Sequence, residues 1–255
     1  MSNPFSDRAM AAGYAAARPP VHQHVIALVR EWLGRGRVRV AADLGCGAGL
    51  STRPLLDMAA RCIGLDPAEA MVRMARRTVP QATFLAAGGE ALPLATRSVD
   101  LLTAAGSLDY AHDLDAVWRE AARILTRGGT LAVYDFSPGR SFKDDEALDR
   151  WFDAFRARYP RPTGQARPLS PAILADIAQG FTVTRAETFA IPLPLSAEFY
   201  VQYMLTETNV QDAIGRGASP EDIRAWCTRT LSPVFAGHDR DVVFRGYLAH
   251  LQPRG

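Results

Sequence analysis

Two aspartates stand at the ends of consecutive short apolar runs: Asp43 after Val38-Arg-Val-Ala-Ala42, and Asp66 after Cys62-Ile-Gly-Leu65. The first is followed at once by Gly45, Gly47 and Gly49, so a buried strand, a carboxylate and a glycine turn fall within twelve residues, Val38 to Gly49. Glycines at that spacing let the backbone turn sharply and approach a ligand before a helix begins, here read over Leu50 to Met58. A carboxylate two residues before the first glycine is suited to a cation. It opposes a pyrophosphate.

The usual dinucleotide fingerprint, G-x-G-x-x-G, puts a third glycine where this chain has Leu50, and rests the pyrophosphate on free N–H groups at a helix start. S-adenosylmethionine has no phosphate and carries two cationic groups, an ammonium and a sulfonium. Asp66 ends the second run at about the spacing at which such folds bind a ribose diol. Both carboxylates therefore fit an adenosyl cofactor of that kind.

With those residues in view the chain resembles the class I S-adenosylmethionine-dependent methyltransferases of the small-molecule type, which include ubiquinone/menaquinone-biosynthesis and trans-aconitate methyltransferases. Asp43-Leu-Gly-Cys-Gly-Ala-Gly49 is similar to the first family motif and Gly64-Leu-Asp-Pro-Ala-Glu-Ala-Met71 to the second. Glu90-Ala-Leu-Pro-Leu94, Ser98-Val-Asp-Leu-Leu102 and Ala121 to Leu131 are similar to the later ones, so the likeness covers roughly residues 10 to 137. It implies S-adenosylmethionine as cofactor and S-adenosylhomocysteine as product. It also implies cofactor contacts from Asp43, Gly45, Cys46, Gly47, Gly49, Asp66, Pro67, Met71, Gly89, Glu90, Ala91 and Ala105, with Tyr14 and Arg18 closing over the methionine end. Relatives often have an aspartate where this chain has Gly88, so either backbone groups near Gly89, Glu90 and Ala91 hold adenine or the affinity is lower than usual.

Methyl transfer is an in-line displacement that mainly requires alignment and exclusion of water; a base is needed only when the acceptor must lose a proton. Candidates for that base lie in Ser107-Leu-Asp-Tyr-Ala-His112, after the fourth strand: Asp109, Tyr110 and His112. Relatives often carry a histidine and an aromatic where this chain has Asp109 and Tyr110. Tyr134, His22 and His24 are weaker candidates. The chain lacks the D/N-P-P-Y/F signature that holds an amino group. The reading is methyl transfer to oxygen or carbon of a small hydrophobic or aromatic metabolite. The rivals are an enzyme that binds S-adenosylmethionine without transferring methyl, using the sulfonium charge in a cyclisation or rearrangement, and, more weakly, a nucleotide-dependent oxidoreductase.

The elements that must position these residues alternate. Strands are predicted near 38–43, 61–65, 82–86, 99–104 and 129–135, with helices near 20–33, 49–59, 68–78 and 113–125, a pattern that makes a doubly wound parallel sheet. The fold class is α/β: a Rossmann-like, seven-stranded, mostly parallel sheet whose last strand is antiparallel, with helical cap insertions. The chain is read as a single domain: an N-terminal helical lid (1–35), a cofactor core (36–137), a substrate cap (138–180 and 192–238) and closing strands (181–191 and 239–255). In the cap, a helix over 139–160 rich in aromatics, a Pro- and Arg-rich loop over 159–171 and helices near 196–211 and 219–231 are expected to set substrate choice.

Composition excludes several classes. A net charge of +2, with Lys143 the sole lysine, offers no basic tract for nucleic acid. Cys46, Cys62 and Cys227 lack C-x-x-C spacing, which argues for a reducing cytoplasm without disulfides or metal. No apolar run approaches the ~20 residues of a membrane span, and the first residues lack a signal peptide's apolar core. The expected partner is a small-molecule acceptor, with no nucleic acid and no membrane. The oligomeric state is left open, a homodimer being one form.

Overall fold

The computed structural model describes residues 17–34, 36–160 and 168–254. They fall into two compact units, each traversed more than once by the chain. A sheet unit comprises residues 20–136, 168–189 and 246–254, and a helical unit residues 17–19, 137–160 and 190–245.

The sheet unit contains α1 (Val21–Leu33), β1 (Val38–Leu44), β2 (Ala59–Asp66), α2 (Glu69–Thr78), β3 (Thr83–Ala86), β4 (Val99–Ala105), α3 (Leu114–Ile124) and β5 (Leu125–Phe136). The remaining elements, in chain order, are β6 (Ser141–Phe142), α4 (Ala147–Arg158), α5 (Pro171–Ile177), β7 (Phe181–Leu195), α6 (Ala197–Leu205), α7 (Thr208–Gly215), α8 (Pro220–Phe235) and β8 (Arg240–Pro253). The strand order is β3-β2-β1-β4-β5-β8, with β7 paired to β8 and the two-residue β6 paired to the start of β8. Strands β1 to β5 pair in parallel, whereas β8 runs antiparallel to β5. Among the described residues the strands number eight, one more than the expected seven, the addition being the short β6.

The order places the topological switch at β1 and β4: the chain winds outward through β2 and β3 on one side and through β4 and β5 on the other. In open sheets of this kind ligands bind at the carboxyl ends of the strands flanking the switch. The loops after β1 and β4 occupy those ends.

One face of the sheet is covered by α3 and α5. Trp118, Ala121 and Ile124 of α3 pack in one buried cluster with Leu102, Leu131, Leu174, Phe181 and Leu251. Apolar residues three and four apart on α3 make this face, and Asp113 caps the helix by accepting the Ala116 N–H at 3.0 Å. The α5 helix is a correction to the sequence reading, which put residues 168–180 in the cap. Ser170 caps it, Pro171 occupies its first turn, and its one fully buried side chain, Leu174, joins the core of the sheet unit.

A second correction concerns Leu50 to Met58, read as a helix. The segment forms turns and a 3₁₀ stretch, Arg53–Asp57, closed by bonds from Leu55 N–H to Thr52 and from Met58 N–H to Leu55. Pro54 has no amide to donate, and the hydroxyls of Ser51 and Thr52 are drawn to Asp43.

The helical unit has its own aromatic core. Trp151 stacks on Phe155 with centroids 5.1 Å apart and meets Tyr200 edge-on at 5.9 Å. The Trp151 indole N–H donates to Thr230 Oγ1 at 2.8 Å, and the buried Tyr200 hydroxyl donates to the Gly139 carbonyl. Phe152 and Tyr203 are buried as well, so most of the aromatic side chains expected in a cap build this core; Phe199 and Trp226 remain partly exposed. The expected helix over 196–211 is two helices, α6 and α7.

Truncating Leu174 to alanine is expected to cost about 2–5 kcal/mol of unfolding free energy in urea titrations, the range for a fully buried leucine. A loss below about 1 kcal/mol would mean that α5 is not part of this core.

Candidate active site at the sheet switch point

Asp43 is fully buried at the end of β1. Its Oδ2 accepts from Ser51 Oγ at 2.7 Å and Thr52 Oγ1 at 2.6 Å, and its Oδ1 from Thr103 Oγ1 of β4 at 2.8 Å. Burial pushes its carboxyl up, and the three hydroxyls oppose that push. The side chain thus fastens β1, the segment after the glycine loop and β4 to one another. Sequence reasoning placed Asp43 here but missed its partners, although two adjacent hydroxyl residues after the loop and Thr103 in an otherwise apolar strand were the signal.

The loop itself is built on left-handed glycines, with φ of +70° at Gly45, +51° at Gly47 and +88° at Gly49. A Cβ at Gly45 would sit 2.2 Å from Ser107 Cβ, so only glycine lets the loop after β1 touch the loop after β4. Ser107 Oγ also donates to the Leu44 carbonyl at 2.7 Å. A Cβ at Gly47, by contrast, meets nothing within 4 Å. Cys46 is buried against Val72, Ala75, Val79 and Phe84, and burial first, then Asp43 and Asp66, pushes its thiol far above the ordinary range. It is no nucleophile. All three cysteines are free and buried.

Four of the loop amides are spent internally. Gly45 and Cys46 N–H both donate to the Leu65 carbonyl (2.7 and 3.0 Å), Gly47 N–H to Asp66 Oδ2 (2.9 Å) and Gly49 N–H to the Cys46 carbonyl (2.9 Å). Asp66, at the end of β2, also accepts the Ala68 N–H at 2.8 Å and so turns the chain into α2. Burial pushes its carboxyl up against those two bonds. The cradle left by Gly47, with a carboxylate beside it and these donors already engaged, suits a hydroxyl-rich, phosphate-free ligand such as the adenosyl group. Pro67 is exposed and Met71 is buried in α2.

The loop after β3 carries Gly89, Glu90 and Ala91. It is stapled to α3 by residues that sequence reasoning missed: Arg123 donates to the carbonyls of Leu92 (2.9 Å) and Leu94 (2.8 Å), and Glu120 accepts the Leu92 N–H at 2.7 Å. Glu90 accepts the His112 N–H at 3.2 Å, which ties this loop to the one after β4. Ala105 is half-buried at the end of β4.

Asp109 lies half-buried in the 3₁₀ turn Leu108–Tyr110, while Tyr110 and His112 are exposed. Burial, and next the charge of Asp135, push the Asp109 carboxyl up to about 6. Of the three base candidates, it alone is partly desolvated. His22 Nδ1 pairs with the buried Tyr134 hydroxyl at 2.9 Å.

Arg18 belongs to the helical unit. Its guanidinium sits 5.1 Å from the Tyr203 ring centroid, donates to the Thr206 carbonyl at 3.2 Å and pairs with Glu207 at 3.3 Å. Tyr14 lies outside the described residues.

Residues 42–133 match the Methyltransferase domain family. The chain is 30% identical over 103 residues to a ubiquinone/menaquinone biosynthesis C-methyltransferase UbiE of Campylobacter jejuni, covering 38% of this chain and 44% of that one. It is 36% identical over 129 residues to a malonyl-(acyl-carrier protein) O-methyltransferase of Methylococcus capsulatus, with 49% and 46% covered. The chain thus spans about half the length of the curated relatives it matches. Among solved structures, a candidate type II methyltransferase from Anaeromyxobacter dehalogenans superposes with a TM-score of 0.66 at 24% identity, over 89% of this chain and 95% of that one. The 4+2 cyclase SpnF does so with a TM-score of 0.55 at 19% identity, over 91% and 82%. The fold, the glycine loop with its two carboxylates and the matched residues agree: residues 42–133 are similar to a methyltransferase domain, and the sheet around them has the fold of solved methyltransferases.

Proposed function

We propose that the protein transfers a methyl group from S-adenosylmethionine to oxygen or carbon of a small, hydrophobic or aromatic acceptor. One observation carries this reading: the amides of Gly45, Cys46, Gly47 and Gly49 are engaged by Leu65, Asp66 and Cys46, yet the loop leaves an open cradle at Gly47 beside a carboxylate. A dinucleotide needs those amides for its pyrophosphate. An adenosyl sulfonium does not.

In this reading Asp66 accepts hydrogen bonds from the ribose hydroxyls, and the backbone at Gly89, Glu90 and Ala91 borders adenine. Cys46, Gly47 and Ala105 border the methionine portion. Asp43 acts through the loop it holds, since its oxygens already face three hydroxyls. When bound, the sulfonium supplies an electrophilic methyl group and departs as a neutral thioether. Asp109 receives the acceptor's proton. The relatives include both C- and O-methyltransferases, which supports oxygen or carbon as the target. The helical unit is the proposed determinant of acceptor choice.

Three free, buried cysteines support a reducing, cytoplasmic setting. Among the described residues no helix is long and apolar enough to cross a membrane. The rival reading, a cyclisation or rearrangement without methyl transfer, shares this fold with SpnF. Formation of S-adenosylhomocysteine in step with product separates the two.

Calorimetry on the full chain should show saturable binding of S-adenosylmethionine and S-adenosylhomocysteine and none of NAD at the same concentrations. Saturable NAD binding with no response to either adenosyl ligand would contradict the reading. Asp66→Ala should weaken S-adenosylhomocysteine binding at least ~10-fold, because each charged hydrogen bond lost is worth about 1.5–3 kcal/mol. An unchanged dissociation constant in a variant that still unfolds cooperatively would remove Asp66 from the site.

A further inference from the structure

On the β5 side of the switch point a second carboxylate stands against Gly106, three residues before Asp109. Asp135 lies opposite Tyr247 in the antiparallel pairing of β5 with β8. Its side chain rests on the backbone of Gly106, where a Cβ would come within 2.8 Å of Asp135 Oδ1. Gly106 has φ of +58° and donates its N–H to the Tyr134 carbonyl at 2.9 Å, so the chain leaves β4 directly beneath that carboxylate. Two residues later the buried Leu108 anchors the turn that presents Asp109.

Other titratable groups border the pair. Tyr247 on β8 is half-buried, and its phenol is pushed up by burial, then by Asp135 and Asp109. His22 on α1 meets Phe136 edge-on at 5.3 Å and bonds Tyr134, the two neighbours of Asp135 in sequence. Tyr110 and His112 lie on the same loop as Asp109. The two carboxylates thus border the carboxyl ends of β4 and β5, next to Ser107 and the glycine loop.

Within the methyl-transfer reading above, we propose that Asp109 and Asp135 form the acceptor end of the site: Asp109 takes the proton of an uncharged, hydroxyl-bearing acceptor, Asp135 is the positioning residue beside it, and the pair turns away acceptors that carry a carboxylate. The acceptor's O–H bond breaks, its proton passes to an Asp109 carboxylate oxygen, and the bonding pair stays with the acceptor, on oxygen or shared into a conjugated carbon. That pair forms the new bond to the methyl carbon, while the carbon–sulfur pair remains on sulfur. One positive and one negative charge are neutralised together. A carboxylate acceptor arrives without a proton to give, gains nothing from a base, and meets two like charges.

Carbon-13 titration of the aspartate carboxyls in the full-length protein tests this. Asp109 should titrate near 6 in the free protein, and in Asp135→Asn its midpoint should fall by about one pH unit, a tenfold change in proton affinity. In the wild-type protein, which needs no substitution to fold, the Asp109 midpoint should be lower with S-adenosylmethionine bound than with S-adenosylhomocysteine. Phenol should perturb the Asp109 resonance in the S-adenosylhomocysteine complex, and benzoate should need at least ~10-fold higher concentration. Equal midpoints in the two complexes, an unmoved Asp109 in folded Asp135→Asn, or a resonance that answers to benzoate as readily as to phenol, or to neither, would overturn the proposal. Failure of the wild-type protein to bind either adenosyl ligand would instead refute the methyl-transfer reading beneath it.

Discussion

A carboxylate buried without compensation is among the most costly groups a protein can hold, and Asp43 has no exposure to solvent at all. Three hydroxyls make it tolerable, and they come from the two segments that need fixing: Ser51 and Thr52 follow the glycine loop, and Thr103 sits in the neighbouring strand. The other close approaches depend on this arrangement. Gly45 can touch Ser107 only while β1 and β4 are in register, and Gly64 must lack a side chain because Phe84 and Cys46 Sγ fill its place.

Around that anchor the carboxyl ends of β2, β4 and β5 gather Asp66, Asp109 and Asp135, while the chain as a whole is nearly neutral. Burial raises the proton affinity of Asp66 and Asp109. A local negative field in a partly desolvated setting attracts a cation and repels an anion far more strongly than surface charges would. The same field that favours a sulfonium disfavours a pyrophosphate, in agreement with the internally bonded loop amides. In the proposed function, donor selection and acceptor selection share one electrostatic cause.

Much of this was legible in the sequence. The parallel strands, the helix with its apolar stripe at Val117, Ala121 and Ile124, and the carboxylates at strand ends follow from local patterns that the sheet obeys. The misreadings have physical reasons. Residues 50–58 have helical apolar spacing, but tertiary hydrogen bonds to Asp43 and the missing amide of Pro54 win over that pattern. The α5 helix is a single short amphipathic turn pair behind a Pro- and Arg-rich stretch, and Leu174 finds its partners only through contacts distant in sequence. The pairing of Arg18 with Glu207 joins residues far apart along the chain, and no local pattern announces it. Asp135 carried no motif; its relation to Gly106 appears only once β4 and β5 are side by side.

In the proposed function Asp43 anchors the loop rather than serving as a counter-ion to the sulfonium. The direct measurement is the ratio of dissociation constants for S-adenosylmethionine, a sulfonium cation, and S-adenosylhomocysteine, its neutral thioether, in the wild-type protein and in Asp43→Asn. The asparagine keeps the shape of the carboxylate and removes its charge. The account predicts that both affinities weaken by the same factor, within about twofold, together with a fall in unfolding free energy of about 1–3 kcal/mol as the hydroxyl network is disturbed. A selective loss of S-adenosylmethionine affinity at unchanged stability would contradict it.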